Sequence, residues 1–90
     1  MKRYLIIYEG KVQGVGFRYF VYRAAYTKSL TGSVRNMMNG NVEVEVQGEE
    51  EVIKTFLDTV KKGNGFSEIT NHAIKEIPVK EREKKFDISY

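Results

Sequence analysis

The segment Gly10-Lys11-Val12-Gln13-Gly14-Val15-Gly16-Phe17-Arg18 has the composition of an anion cradle. Its three glycines permit backbone turns that a Cβ would forbid, so successive N–H groups can point into one concavity. The segment leads into a predicted helix, whose unpaired first-turn N–H groups and positive dipole end favour a negative ligand. Arg18 falls in that first turn, and its planar guanidinium can fork onto two phosphate oxygens. Other well-known loops do not fit. A Walker loop needs Lys-Ser/Thr after its second glycine, where this chain has Val15-Gly16 or Phe17-Arg18. A dinucleotide fingerprint needs a glycine three residues after Gly16, and that residue is Tyr19. A cysteine phosphatase uses a similar loop ending in Arg, but the chain contains no Cys. On loop composition alone, a phosphate cradle and a plain glycine-rich bend with an exposed arginine stand equally open.

The elements around this loop follow from periodicity. Residues 3–8 place Tyr4, Ile6 and Tyr8 on one pleat and Leu5 and Ile7 on the other, as in a central strand. From Phe17 the period changes to helical. Phe17, Val21, Ala24 and Ala25 form the apolar stripe with Phe20 beside it, while Tyr19, Tyr22, Arg23 and Tyr26 lie on the wetter side. Thr31-Gly32 breaks the pattern, which predicts a helix end near Ser29. Two extended runs, 33–38 and 41–47, flank Asn39-Gly40, a pair that accepts positive φ at both centres of a hairpin turn. In the second run Val42, Val44 and Val46 alternate with Glu43, Glu45 and Gln47, giving one buried and one wet face.

Glu49 to Glu51 open a second helix, Phe56, Leu57 and Val60 continue its stripe from Val52 or Ile53, and Gly63-Asn64-Gly65 stops it. A strand over about 69–77 is limited by Pro78, and Phe86 to Tyr90 alternate as a short final strand. The order is β-α-β-β-α-β with a short fifth strand. It is an α+β plait, with an antiparallel sheet covered by two helices on one face.

Ninety residues fit a single domain, 1–90, with a real but thin core. The absence of Cys excludes disulfides and thiolate zinc sites, and the single His72 excludes a multi-histidine metal site. No apolar run nears the ~20 residues that cross a bilayer, and the N-terminus lacks a signal pattern, so a cytoplasmic protein is expected. A net charge of +3 makes anionic partners plausible without demanding nucleic acid.

The ordered motifs Gly10-x-Val12-Gln13-Gly14-Val15-Gly16-Phe17-Arg18, Gly32-x-Val34-x-Asn36 and Gly40-x-Val42 resemble the acylphosphatase family. The likeness continues through Gly48 and the ending Phe86-x-Ile88-x-Tyr90, and so spans essentially the whole chain. It implies a ferredoxin-like domain that hydrolyses the carboxyl–phosphate bond of acyl phosphates without metal or cofactor. It also implies phosphate binding by the backbone of Gly10, Lys11, Val12, Gln13, Gly14 and Val15, with Arg18 as the phosphate-binding arginine and Asn36 as the water-orienting asparagine. Three positions depart from the family pattern. Asn39 stands where Asp is common before the hairpin glycine, Ser33 where an aromatic often follows Gly32, and Gly63-Asn64-Gly65 where a Gly-Pro-Pro-like break is favoured.

The expected partners are a small acyl phosphate and inorganic phosphate, with no nucleic acid, no membrane and a monomeric chain. The other motifs have plain readings. His72 is a surface or packed strand residue, and the consecutive side chains of Glu49 to Glu51 diverge around a helix instead of gathering a metal. The run from Lys80 to Lys85 reads as a solvated charged loop. Met37 and Met38 suit either substrate contact or packing. Two further functions share the topology. An RNA-binding module would need aromatic rings on a central strand, but Phe17, Tyr19 and Phe20 have helical spacing and Glu43 and Glu45 occupy a wet face. A catalytically silent phosphate-binding domain would keep the same cradle without turnover.

Overall fold

Alternating bulk along Lys2–Lys11 builds strand β1 in the interior of a five-stranded sheet. The computed structural model describes residues 1–89. After β1 come α1 (Phe17–Tyr26), β2 (Thr31–Asn36), β3 (Val42–Gly48), α2 (Glu50–Lys62), β4 (Glu68–Ile77) and β5 (Phe86–Ser89). The sheet order is β4-β1-β3-β2-β5. Strand β1 pairs antiparallel with β3 and β4, and β2 antiparallel with β3, which is the expected plait. The fifth strand differs. It joins β2 in parallel, Val34 opposite Ile88, so the whole sheet is mixed. The connection 78–85 has to carry the chain from the β4 edge to the opposite edge, and it delivers β5 running alongside β2. The expected extension of this strand to Tyr90 lies outside the described residues.

One face of the sheet holds the core. Phe17, Val21, Ala24 and Ala25 of α1 are buried, the same four that helical spacing puts on one stripe. Ile53, Phe56 and Val60 of α2 join them over Ile6, Val44 and Val46. Helix α1 stops at Tyr26, before the expected Ser29. Ser29 takes φ of 56°, and the N–H groups of Ser29 and Leu30 turn back to the carbonyls of Tyr26 and Ala25. This left-handed stop, sealed by buried Leu30, ends the helix, so Thr31 and Gly32 are already strand.

The hairpin also differs in detail. Both strands stop short of Asn39-Gly40, leaving a five-residue connection, 37–41. Met37 N–H donates to the Asn41 carbonyl and Gly40 N–H to the Met37 carbonyl. Only Gly40, with φ of 96°, is left-handed, so the turn is the longer bulged type instead of a two-residue turn with both centres inverted. Asn39 Oδ1 accepts the Asn41 N–H at 3.0 Å and so stabilises this longer form.

The second face of the sheet is not simply open, and the run 80–85 is not simply solvated. Arg3 is only 1% exposed. Its guanidinium donates to Glu45 at 2.8 Å, to Glu83 at 2.7 Å and to Gln47 at 3.1 Å. Gln47 in turn exchanges two hydrogen bonds with the Lys80 backbone, at 2.8 and 2.9 Å. The crossing connection is therefore clamped onto the sheet by a buried charge network. Periodicity missed it because these residues read as wet positions, and their partners are distant in sequence.

This clamp has an acid limit. Burial pushes the Glu83 carboxyl up, but hydrogen bonds from Arg3 and Thr31, together with the Arg3 charge, outweigh it and hold the group below its usual 4.5. A carboxyl with a lower pKa folded than unfolded stabilises the fold fully above the unfolded value. That contribution is lost as pH falls through the folded value. The urea midpoint is expected to decline as pH drops below 4.5, and to decline less steeply in Glu83→Gln.

Candidate active site

The site forms where β1 leaves the sheet. Gly10 and Lys11 are still strand, opposite Ile69 and Glu68 of β4, so only residues 12–16 make the loop into α1. Buried Val12 and Phe17 anchor the two loop ends in the core. Tyr8 meets Phe17 edge-on, with ring centroids 5.5 Å apart, and burial pushes its hydroxyl well above the usual range, so it stays neutral.

Between those anchors Gly14 and Gly16 take left-handed φ values of 73° and 75°, while Val15 does not. Where left-handed residues stand this close together, successive N–H groups can converge on one concavity, a nest suited to an anion. Gly16 is also the N-cap of α1, and no acidic side chain occupies the first helical turn. The partial positive charge at the helix start therefore adds to the nest.

A cavity of about 210 Å³ opens against this loop. Val12, Gly14, Gly16 and Phe17 line it from the loop, Arg18 and Tyr19 from α1, Asn36 from β2 and Ile88 from β5. At about 30 Å³ per water, that volume accommodates a phosphoryl group and a neighbouring water. Arg18 stands at this space together with the glycines of the bend. Its Nη1 donates to the Ser89 carbonyl at 3.0 Å, which anchors the guanidinium beside the end of β5. Asn36, the last residue of β2, also lines the cavity. Its Oδ1 is buried and has no hydrogen-bond partner among the described residues. Buried acceptors are nearly always paired, so an unpaired one on a residue that lines the cavity is a feature the site has to account for.

Of the residues expected from the sequence, Val12, Gly14, Arg18 and Asn36 share this cavity; Gly10, Lys11, Gln13 and Val15 do not line it. Gln13 contributes differently. Its Nε2 donates to the carbonyls of Met37 at 2.7 Å and Asn41 at 2.8 Å, tying the loop to the hairpin that follows Asn36. The two halves of the site are thus braced against each other. Gly16, Phe17 and Ile88, which stand in the motifs, and Tyr19, read as a residue on the wetter side of the helix, complete the lining; the sequence marks none of them as a site residue. Elsewhere, His72 is exposed on β4, Met38 is exposed on the hairpin and Met37 is half-buried. Glu43 is paired with Arg35 at 2.9 Å. Among the described residues, no three acidic or histidine side chains come together as a metal site, and no helix is long and apolar enough to cross a membrane.

Comparison with known proteins bears on the family and the fold. The profile of the Acylphosphatase family matches residues 4–88. A Clostridium beijerinckii protein named acylphosphatase is 51% identical over 90 residues, covering all of both chains. The crystal structure of acylphosphatase from Bacillus subtilis superposes with a TM-score of 0.94 at 41% identity over the full length of both chains. An acylphosphatase structure from Coxiella burnetii gives 0.90 at 31% identity, covering 98% of this chain and 92% of that one. With the loop, the arginine and the asparagine standing on this fold, the chain belongs to the acylphosphatase family.

Proposed function

We propose that this acylphosphatase hydrolyses the carboxyl–phosphate bond of small acyl phosphates at the cavity beside Arg18, by positioning and charge neutralisation and without a metal ion. The observation that carries the reading is the shared cavity, which loop glycines, Arg18 and Asn36 line together. An acyl phosphate is a mixed anhydride with a good carboxylate leaving group. Its hydrolysis needs a held phosphoryl group and a placed water more than a strong base. In this scheme the loop amides and Arg18 hold the phosphoryl oxygens and favour the charge redistribution of the transition state. The Asn36 carboxamide hydrogen-bonds the water and aims its oxygen at phosphorus. The new P–O bond forms as the P–O bond to the acyl carboxylate breaks, and the water's proton passes to bulk solvent. A carboxamide cannot serve as a base at neutral pH, so Asn36 works through orientation.

The residues divide the work between binding and turnover, and that division is testable. Asn36→Ala is expected to lower kcat for benzoyl phosphate by about 10²-fold, with competitive inhibition by inorganic phosphate little changed. Steady-state kinetics in the presence of a chelator measure both. Wild-type turnover in the Asn36 variant would remove the water-orienting role, and loss of wild-type activity with the chelator would remove metal independence. The RNA-binding alternative loses ground on geometry. The aromatic residues of β1, Tyr4 and Tyr8, lie on the same pleat as core residue Ile6, and β3 carries no aromatic. The central strands therefore offer no stacking platform to bases on the face away from the helices.

A further inference from the structure

The loop between α2 and β4 touches the nest from behind. Asn64 Nδ2 donates to the Val15 carbonyl at 2.8 Å, across 49 residues of sequence. Its Oδ1 accepts the N–H groups of Phe66 at 3.0 Å and Ser67 at 2.9 Å, which fixes the amide's own orientation. The Val15–Gly16 peptide is trans, so its C=O and N–H point in opposite directions. Holding the Val15 oxygen on the Asn64 side sends the Gly16 N–H to the other side of the loop. Gly16 itself lies between the two, lining the cavity with Arg18 and Asn36 and facing Asn64 Nδ2 across its back. A peptide next to glycine is the one most able to rotate, because glycine accepts φ of either sign at little cost. A nest that depends on this N–H needs a brace at this peptide.

We propose that Asn64 is a positioning residue for phosphate binding, which keeps the Gly16 N–H aimed into the cavity by anchoring the carbonyl of the same peptide. This rests on the reading of the cavity as the phosphoryl site. Asn64 sits between Gly63 and Gly65 in the connection from α2 to β4, outside the glycine-rich loop that it braces.

Two variants separate the brace from the loop's own structure. Asn64→Asp retains the acceptor for Phe66 and Ser67 but cannot donate to Val15, and Asn64→Ala removes both functions without adding charge. The expected result is a rise of about tenfold in both KM for benzoyl phosphate and the inhibition constant of inorganic phosphate in each variant, with kcat changed much less. In Asn64→Asp the melting temperature should remain near wild type. As a direct readout, the Gly16 amide resonance of the wild type should move downfield on adding phosphate, and this response should be lost in Asn64→Asp. Unchanged phosphate inhibition in a folded Asn64→Asp variant, or a preserved Gly16 response, would overturn the proposal. If Asn64→Ala fails to fold, the aspartate variant decides alone. The parent reading fails separately, by phosphate binding that survives Arg18→Ala.

Discussion

Arg18→Ala is expected to lower kcat/KM for an acyl phosphate by ~10²–10³-fold, about the loss seen when one preorganised transition-state donor is removed. The inhibition constant of inorganic phosphate should rise in parallel, because the same guanidinium would grip ground-state and transition-state oxygens. This behaviour separates Arg18 from Asn36, whose loss should leave phosphate inhibition little changed. The structure adds a control. Arg18 also holds the Ser89 carbonyl, so its removal loosens the end of β5, and some lost activity could reflect a shifted strand. Arg18→Lys keeps a positive charge but lacks the planar fork. Its activity should fall between wild type and the alanine variant if charge and geometry both matter. Alanine-like activity in the lysine variant would assign the effect to the fork. Near-normal turnover in Arg18→Ala, with the melting temperature preserved, would end the assignment.

The parts of this molecule that could be read from sequence are those whose information is local. The α1 stripe of Phe17, Val21, Ala24 and Ala25 follows from a 3.6-residue period, and the valines of β3 from a period of two. Arg18 was legible because glycines, helix start and guanidinium are consecutive. Asn36 was legible only through family resemblance, since nothing local distinguishes it from any polar residue at a strand end. Element ends were less readable. A left-handed Ser29 and a bulged turn at Gly40 depend on hydrogen bonds that propensity does not count. Side chains with distant partners were not readable. Gln13 reaches across to the hairpin, Asn64 reaches the loop, and Arg3 meets Glu83 through a crossing that exists only in three dimensions. In each case the partner lies far away in the sequence, and only the topology supplies it. These long-range polar contacts brace the site loop and clamp the sheet, whereas the apolar pattern only specifies which face is inside.

The clamp around Arg3 should be the most stabilising of these contacts, and its loss should leave the chemistry untouched. Arg3→Ala removes the nearest counter-charge from Glu45 and Glu83, whose side chains are 23% and 19% exposed, and leaves them the more distant Lys80. Breaking a fully buried ion pair costs about 3–5 kcal/mol, and some access of these carboxylates to water places this case near the lower end. A loss of about 3 kcal/mol is large against the 5–15 kcal/mol that holds a typical domain together. Urea unfolding at neutral pH measures it. Because the penalty comes from stranded charge, Arg3→Met combined with Glu45→Gln and Glu83→Gln should recover much of the loss. A cost below about 1 kcal/mol for Arg3→Ala would mean that the network behaves like an ordinary surface pair. Catalysis supplies the second half of the test. Arg3 lies near the start of β1 and the cavity beyond its end, roughly 25–30 Å away at the rise of an extended strand. Under conditions where the variant is fully folded, kcat and phosphate inhibition should match wild type, since neither Arg3 nor its partners Glu45, Gln47 and Glu83 line the cavity.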